Sequence, residues 1–189
     1  MNPELLFVNQ HSSPKYPPRT YYNAKSSDVT LALAVDLTTR GEKLTHKAAG
    51  EKYLGFQLTD EIKTTAITRE LYRKLRSTNG RKLNVAGNGI YTLSKHNRNQ
   101  VFVNQFTYEI IAQVHNILPL ERIFTGGQTG FDIAGAVAGY ALGIPTEVTL
   151  PHGYIQRFEN GADVVQTQEQ IIKQIQGGAL ALTPYMPVN

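Results

Sequence analysis

The chain has 189 residues, of which 18% are charged, and 19 Lys and Arg against 15 Asp and Glu leave a net charge of +4. This length suits one globular domain with an ordinary core. The sequence contains no cysteine, which excludes disulfide frameworks, thiolate metal sites and a cysteine nucleophile. It has no apolar run long enough for a membrane-spanning helix and no secretory signal at its N-terminus, so we expect a cytoplasmic protein.

Short apolar runs alternate with helical patterns in the first half of the chain, which is typical of an α/β protein. The predicted elements are a strand at 5–10, a Pro- and Ser-rich connection at 16–27, a buried strand at 28–36, a helix within 41–55 that Gly55 stops, a short strand at 55–59, and a helix at 60–77 with Asp60 as its N-cap. The continuous apolar character of 28–36 indicates a strand buried on both faces of a parallel sheet.

The same alternation continues in the second half. It predicts strands at 82–88, 121–127, 146–151 and 179–183, helices at about 105–118, 131–143 and 167–175, and a loop at 152–163. The predicted fold is a mostly parallel, Rossmann-like, three-layer α/β/α sheet. We expect it to form a single domain over 1–189, with a strand and a connection at 1–27 preceding the core.

Three loops rich in small residues follow predicted strands, at 36–42, 87–89 and 126–130. In an open parallel sheet, ligands bind outside the carboxyl ends of the strands, so three such loops predict one site. Asn88 and Gly89 belong to the second loop and are candidate ligand contacts. Asp36 and Glu42 flank the first loop, where they are candidates for a general base or for acceptors of ribose hydroxyls.

The segment Gly126–Asp132 is the most informative string. Glycines that lead from a strand into a helix N-terminus favour a bound anion, because free backbone N–H groups and the helix dipole face it. Gly126, Gly127 and Gly130 let the backbone approach a phosphate, Gln128 and Thr129 add side-chain donors, and Asp132 either accepts ligand hydroxyls or caps the helix. Neither the P-loop spacing nor the third glycine of a dinucleotide-binding fingerprint is present.

The segment IFTGGQTGFDIAGAVAGYALGIP resembles the GGQTG-containing segment of the molybdenum-carrier family, which belongs to the SLOG superfamily of Rossmann-like domains. The segment RTYYNAKSSDVTLALAVDLTTRGEKLTHKAAGE resembles that family's Arg-Thr-x-x-Asn motif, with its following strand and Gly…Thr helix start. The two segments occur here in the reverse order, which indicates circular permutation. KLNVAGNGIY is similar to the opening of other superfamily members, including lonely-guy enzymes and DNA-processing protein A, and together the similarities cover about two-thirds of the chain.

The resemblance implies a nucleotide or sugar-phosphate site formed by Gly126, Gly127, Gln128, Thr129 and Asp132, with Gly41 and Thr45 from the second motif. Two departures from the family patterns bear on this site. Ile133 follows Asp132 where the carrier pattern has Arg, and the glutamate-containing motif of the lonely-guy enzymes is absent.

A basic stretch at 69–98 holds eight Lys and Arg against Glu70 alone, which suits an anionic partner or a solvated helix face. We expect non-catalytic binding, as sensing or sequestration, of a nucleotide-derived ligand such as an ADP-ribose, NAD-derived or cyclic-nucleotide signal. The alternatives are a nucleotide hydrolase acting through Asp36, Glu42 or Asp132, and a DNA-binding module that uses the basic stretch. The expected partners are that small molecule and further copies of the chain, without nucleic acid, membrane, cofactor or metal ion.

Overall fold

The computed structural model describes residues 1–182. Its strands are β1 Leu6–Gln10, β2 Val29–Ala34, β3 Tyr53–Gln57, β4 Lys82–Gly87, β5 Arg122–Thr125, β6 Thr146–Leu150, β7 Gln156–Arg157 and β8 Asp163–Val164. Its α-helices are α1 Tyr16–Ser26, α2 Arg40–Ala49, α3 Thr64–Ser77, α4 Ile90–Leu93, α5 Gln100–Ile117, α6 Phe131–Ala141 and α7 Gln168–Ala181. Short 3₁₀ turns occupy Pro3–Leu5, Gly50–Lys52 and Ser94–His96.

Six strands form one parallel sheet in the order β1-β6-β5-β4-β2-β3, and β7 pairs with β8 in a separate antiparallel hairpin. All six residues of β2 are buried, as expected for a strand covered on both faces. Helices α1 and α2 pack together, and α3, α5, α6 and α7 form a second packed series. The predicted three-layer, Rossmann-like architecture is confirmed.

The direction in which the chain moves across the sheet reverses between β2 and β4. From β2 the chain moves outward to β3, and it then returns to the other side of β2 and continues through β4, β5 and β6. The loops that leave two such strands diverge and open a crevice at their carboxyl ends, which is where ligands bind in this class of sheet.

The connection predicted at 16–27 is wrong, because this segment forms α1. Pro17 and Pro18 lie in the first turn of the helix, where backbone N–H groups have no partner within the helix in any case, so proline there breaks no hydrogen bond. Beyond this first turn, one side of α1 is buried, and it carries Arg19, Asn23 and Ala24. The helix therefore places polar side chains against the sheet.

Two more helices differ from the predicted boundaries at their N-termini. Helix α3 begins at Thr64 with Lys63 as its N-cap, because the Asp60 carboxylate forms an ion pair with Arg98 and does not cap the helix. Helix α5 begins at Gln100, where the Asn99 side chain accepts a hydrogen bond from the Phe102 N–H at 2.9 Å. An Asn cap of this kind satisfies one of the otherwise unpaired first-turn donors.

Two predicted C-terminal boundaries also differ. Helix α2 ends at Ala49, with Gly50 at φ 55°, and Gly55 lies within β3. The strand predicted at 179–183 is wrong over the described residues, because helix α7 continues to Ala181; residue 183 lies outside them. Ile171, Ile175 and Ala179 are buried at four-residue spacing, which is the period of a helix face.

Over residues 1–182, no helix has the length and apolar character needed to cross a membrane.

Candidate functional site

A cavity of about 490 Å³ opens at the carboxyl ends of β4 and β5, and helices α1 and α2 contribute to its wall. Eight of the predicted ligand-contact residues line it: Gly41, Glu42, Thr45, Asn88, Gly89, Gly126, Gln128 and Asp132. The structure thus brings together residues from all three predicted loops. Four other predicted residues, Asp36, Gly127, Thr129 and Gly130, are not part of the lining within residues 1–182.

Asn88 ties the loop after β2 to the loop after β4. Its side-chain Oδ1 accepts a hydrogen bond from the Asp36 N–H at 3.0 Å, and its Nδ2 donates to the Asp36 carbonyl at 3.1 Å and to Glu42 Oε1 at 3.4 Å. The Asp36 carboxylate accepts from the N–H and the hydroxyl of Thr38, each at 2.7 Å, which lowers the pKa of Asp36. Asp36 therefore stabilises the loop, while Asn88 orients Glu42.

Glu42 lies in the first turn of α2, and only 2% of it is exposed. The Thr39 hydroxyl accepts a hydrogen bond from the Glu42 N–H at 3.2 Å and so caps this helix. Burial, together with the negative charges of Asp132 and Asp36, raises the pKa of Glu42 to about 8, against the opposing effect of its hydrogen bond with Asn88. At neutral pH this carboxyl group is therefore mostly protonated and able to donate a hydrogen bond.

Arg19 and Asp132 form a buried ion pair beside Glu42, with Arg19 Nη1 and Asp132 Oδ2 3.0 Å apart. Burial raises the pKa of Asp132, and the Arg19 guanidinium and the backbone N–H groups of Gln128 and Gly87 oppose this rise. A Cβ at Gly126 would meet the Arg19 guanidinium and the Asp132 carboxylate. A glycine is thus needed at this position for the pair to form.

Three buried polar atoms around the cavity lack a partner. Among the described residues, seven buried side-chain N or O atoms have no hydrogen-bond partner, and Arg19 Nε, Asn23 Oδ1 and Glu42 Oε2 are the three whose residues line the cavity. Unsatisfied buried polar groups are costly, so they are rare unless a ligand or water completes them. We refer to Arg19, Asn23, Glu42, Asn88 and Asp132 as the cavity floor.

In the 126–130 loop, by contrast, several polar groups bond within the protein. Gly130 N–H donates to Gln100 Oε1 at 2.7 Å, and the Phe131 N–H donates to the Asn88 carbonyl at 3.2 Å. Gln128 donates to the Ile155 carbonyl at 2.6 Å, and the Thr129 hydroxyl donates to a carbonyl of the same segment. These donors hold neighbouring parts of the chain in place, whereas the sequence predicted that they bind phosphate.

The model of the circularly permutated YpsA SLOG family matches residues 3–111, which is more than half of the chain. The protein belongs to this family. A search of curated proteins found no match. The predicted superfamily and the permuted order are confirmed, and membership of the SLOG superfamily suggests nucleotide-related binding or processing.

The part matched by the SLOG family model contains Arg19, Asn23, Glu42 and Asn88, and it ends before the 126–130 loop. Sequence reasoning missed Arg19 and Asn23 as site residues, although both belong to the Arg-Thr-x-x-Asn motif. Their four-residue spacing places them on one face of a helix. The prediction of a connection at 16–27 concealed this signal.

The mouth of the cavity carries aromatic and basic side chains. Tyr16, Tyr91 and Arg157 belong to the lining, as does Arg40 at the first position of α2. Lys95 Nζ lies 3.7 Å from the centroid of the Tyr91 ring. Tyr21 and Tyr22 are not part of the lining, and Tyr22 donates its hydroxyl hydrogen to Glu147 at 2.6 Å.

The basic stretch at 69–98 does not form one surface. Arg69 and Arg73 pair with Glu70 on α3, and Lys82 begins β4, whereas Lys95 follows the carboxyl end of that strand. The charges of the stretch are therefore divided between the two ends of the sheet. Within residues 1–182, no group of three His, Asp or Glu side chains is arranged to hold a metal ion.

Proposed function

We propose that this protein binds a nucleotide-derived, phosphorylated ligand in the cavity and releases it chemically unchanged, as a sensor or a sequestering protein. ADP-ribose and other NAD-derived or cyclic-nucleotide signals represent the ligand class. The observation that carries the proposal is the convergence of three unpartnered buried polar atoms, on Arg19, Asn23 and Glu42, on a single cavity. A cavity of about 490 Å³ falls within the range of small-molecule sites.

The chemistry of the floor favours hydroxyl groups over phosphate. Asp132 neutralises the charge of Arg19, and Glu42 adds a second carboxyl group, so a phosphate there would face carboxyl oxygens. The two hydroxyls of a ribose suit these atoms better, because each hydroxyl both donates and accepts. One can accept from Arg19 Nε while donating to Asn23 Oδ1, and the other can bond to Glu42 Oε2.

The opposite end of the ligand then lies toward the mouth. Arg40 has no ion-pair partner among residues 1–182 and stands at the N-terminus of α2, where the helix dipole also favours negative charge. The rings of Tyr16 and Tyr91 offer surfaces for a base. This orientation places the sugar on the floor and the phosphate near the solvent.

Hydrolysis of an N-glycosidic or phosphoester bond is the second candidate, and the pKa of Glu42 favours it. A buried carboxyl group with a raised pKa beside a second carboxyl group is typical of acid–base catalysis. Glu42, with its pKa raised to about 8, would protonate the leaving group, and Asp132 would accept a proton from the attacking water.

Binding and turnover are separated by incubating the purified protein with ADP-ribose, measuring binding by calorimetry and analysing the recovered compound by mass spectrometry. We expect binding and unchanged ADP-ribose, with weaker binding by Glu42→Ala, which removes the carboxyl group. Conversion by the wild-type protein, abolished in Glu42→Gln without loss of binding, would establish the hydrolase. If ADP-ribose does not bind and extracts of the purified protein contain no nucleotide, both candidates are wrong.

A further inference from the structure

The hairpin β7–β8 is fastened to the 126–130 loop. Gln128 Nε2 donates to the Ile155 carbonyl at 2.6 Å, and its Oε1 accepts from the Arg157 N–H at 2.9 Å. The Thr129 hydroxyl donates to the Arg157 carbonyl, and Gln156 donates to the Gly127 carbonyl at 2.7 Å. Four hydrogen bonds therefore hold three consecutive residues, 155–157, against this loop.

The hairpin also contacts both aromatic residues at the cavity mouth. The Tyr16 hydroxyl donates to Asp163 Oδ1 at 3.1 Å. At the turn, a Cβ on Gly161 would lie 3.0 Å from the ring of Tyr91. Since Tyr16 and Tyr91 line the cavity, the hairpin lies next to the cavity.

Arg157 is the hairpin residue that lines the cavity. Its Nε and Nη2 donate to the two oxygens of Asp163 at 2.9 and 2.8 Å, which fixes the plane of the guanidinium. A guanidinium has five N–H donors, so Nη1 remains to donate to an anion. Half of the Arg157 side chain is exposed, which is consistent with contact to a group near solvent.

We propose that Arg157 binds the phosphate of the ligand, and that Gln128 and Thr129 are positioning residues that hold Arg157 at the mouth. This inference rests on the proposed function and adds Arg157, beside Arg40, as a residue that recognises the anion. It also assigns a role to the glycine-rich motif, whose Gln and Thr act through the hairpin. Gly127 and Gly130 shape the loop that presents these two side chains.

The phosphate contact is tested by calorimetric titration with ADP-ribose and with adenosine, which lacks phosphate. Arg157→Gln should weaken ADP-ribose binding about tenfold, because it removes a charge-assisted hydrogen bond, and should change adenosine binding less than about twofold. Arg122→Gln is the control, because Arg122 is also a partly exposed arginine, paired with Glu147 at 3.5 Å at the amino end of β5. It should leave binding of both compounds unchanged.

The positioning role is tested by amide hydrogen exchange in 155–164. Gln128→Leu should speed exchange in this segment and weaken ADP-ribose binding with little effect on adenosine. Gln168→Leu is the control: Gln168 also donates a side-chain hydrogen bond to a backbone carbonyl, that of Val8 at 2.7 Å, but it lies outside the hairpin and the lining. It should leave hairpin exchange and binding unchanged.

The outcomes separate this inference from the proposed function. If the wild-type protein binds ADP-ribose, and Arg157→Gln binds it equally well, Arg157 does not contact the phosphate and the inference is wrong. If Gln128→Leu weakens the binding of ADP-ribose and of adenosine equally, or leaves amide exchange in 155–164 unchanged, Gln128 is not a positioning residue. If the wild-type protein binds neither compound and extracts of the purified protein contain no nucleotide, the proposed function fails, and the inference fails with it.

Discussion

The cavity floor and the 126–130 loop are both built from polar and small residues next to the same cavity, but they differ in how their polar atoms are satisfied. On the floor, Arg19, Asn23 and Glu42 each leave a buried atom without a partner among residues 1–182. In the loop, the side chains of Gln128 and Thr129 bond to the segment at 155–157.

Gly126 and Gln128 of the glycine-rich string line the cavity, but the string also has a structural role. Gly127 has a φ of 68°, and a Cβ there would lie 2.6 Å from Val148 and 2.8 Å from Leu150. Its missing side chain therefore makes room for the core rather than for a phosphate. The buried unpaired atoms support the proposed ligand site more strongly, because leaving them unsatisfied is costly.

Breaking the ion pair of the floor should have the largest effect on stability. We expect Arg19→Met to lower the free energy of unfolding by about 3–5 kcal/mol, because it leaves the buried Asp132 carboxylate without its partner. Urea denaturation measures this change. Arg122→Met, which removes a more exposed pair, should cost less than about 1 kcal/mol. Equal effects of the two variants would contradict a special role for the floor pair.

A substitution in the loop should act through the core. Gly127→Ala should lower the free energy of unfolding by about 2–4 kcal/mol, since it combines an unfavourable positive φ with overpacking against Val148 and Leu150. In the exposed part of α7, a Cβ at Gly177 would meet nothing within 4 Å, so Gly177→Ala should stabilise the protein by about 0.5–1 kcal/mol. A Gly127→Ala protein of wild-type stability would show instead that the loop tolerates a side chain.

The raised pKa of Glu42 should make stability depend on pH. Between pH 4.5, the ordinary pKa of a glutamate, and about 8, its pKa in the folded protein, the folded state binds the proton that the unfolded state has lost. The stabilisation that comes from this proton on Glu42 is fully present below the ordinary pKa of a glutamate. It decreases as pH rises toward about 8, by roughly 1 kcal/mol per pH unit.

The Glu42→Gln variant isolates that contribution, because the other titrating groups are shared. Thermal unfolding from pH 5 to 9 should show that the advantage of the wild-type protein over Glu42→Gln decreases up to about pH 8 and is constant above it. A constant difference over the whole range would show that the folded state does not raise the pKa of Glu42.

Among these substitutions, Asn23→Leu should change the free energy of unfolding least. The direction of this change tests whether Asn23 supports the fold or is available to a ligand. Asn23→Leu removes a buried unpaired oxygen, so the free energy of unfolding should stay the same or rise by up to about 1 kcal/mol. Binding of ADP-ribose should weaken about tenfold, because a ligand hydrogen bond is lost. A clear loss of stability with unchanged binding would mean that Asn23 supports the fold and does not contact the ligand.

Much of the site could be predicted from the sequence because parallel strands bring their carboxyl ends to one edge of a sheet. Glu42, Asn88 and Asp132 are far apart in the chain, yet the loop positions alone predicted that they meet. Arg19 and Asn23 were missed because Pro17 and Pro18 were interpreted as part of a connection. Their four-residue spacing in the motif places both side chains on one face only because residues 16–26 form a helix.

The sequence by itself determined the alternation of strands and helices, the three loops at one edge and the resemblance to a permuted SLOG domain, because periodicity and short motifs are local properties. Only the tertiary structure decided which polar groups bond to each other and which remain for a ligand. It directs Gln128 and Thr129 to the hairpin at 155–157, and it pairs Arg19 with Asp132 across 113 positions of the chain. Hydrogen-bond partners so distant in sequence meet only when the chain has folded.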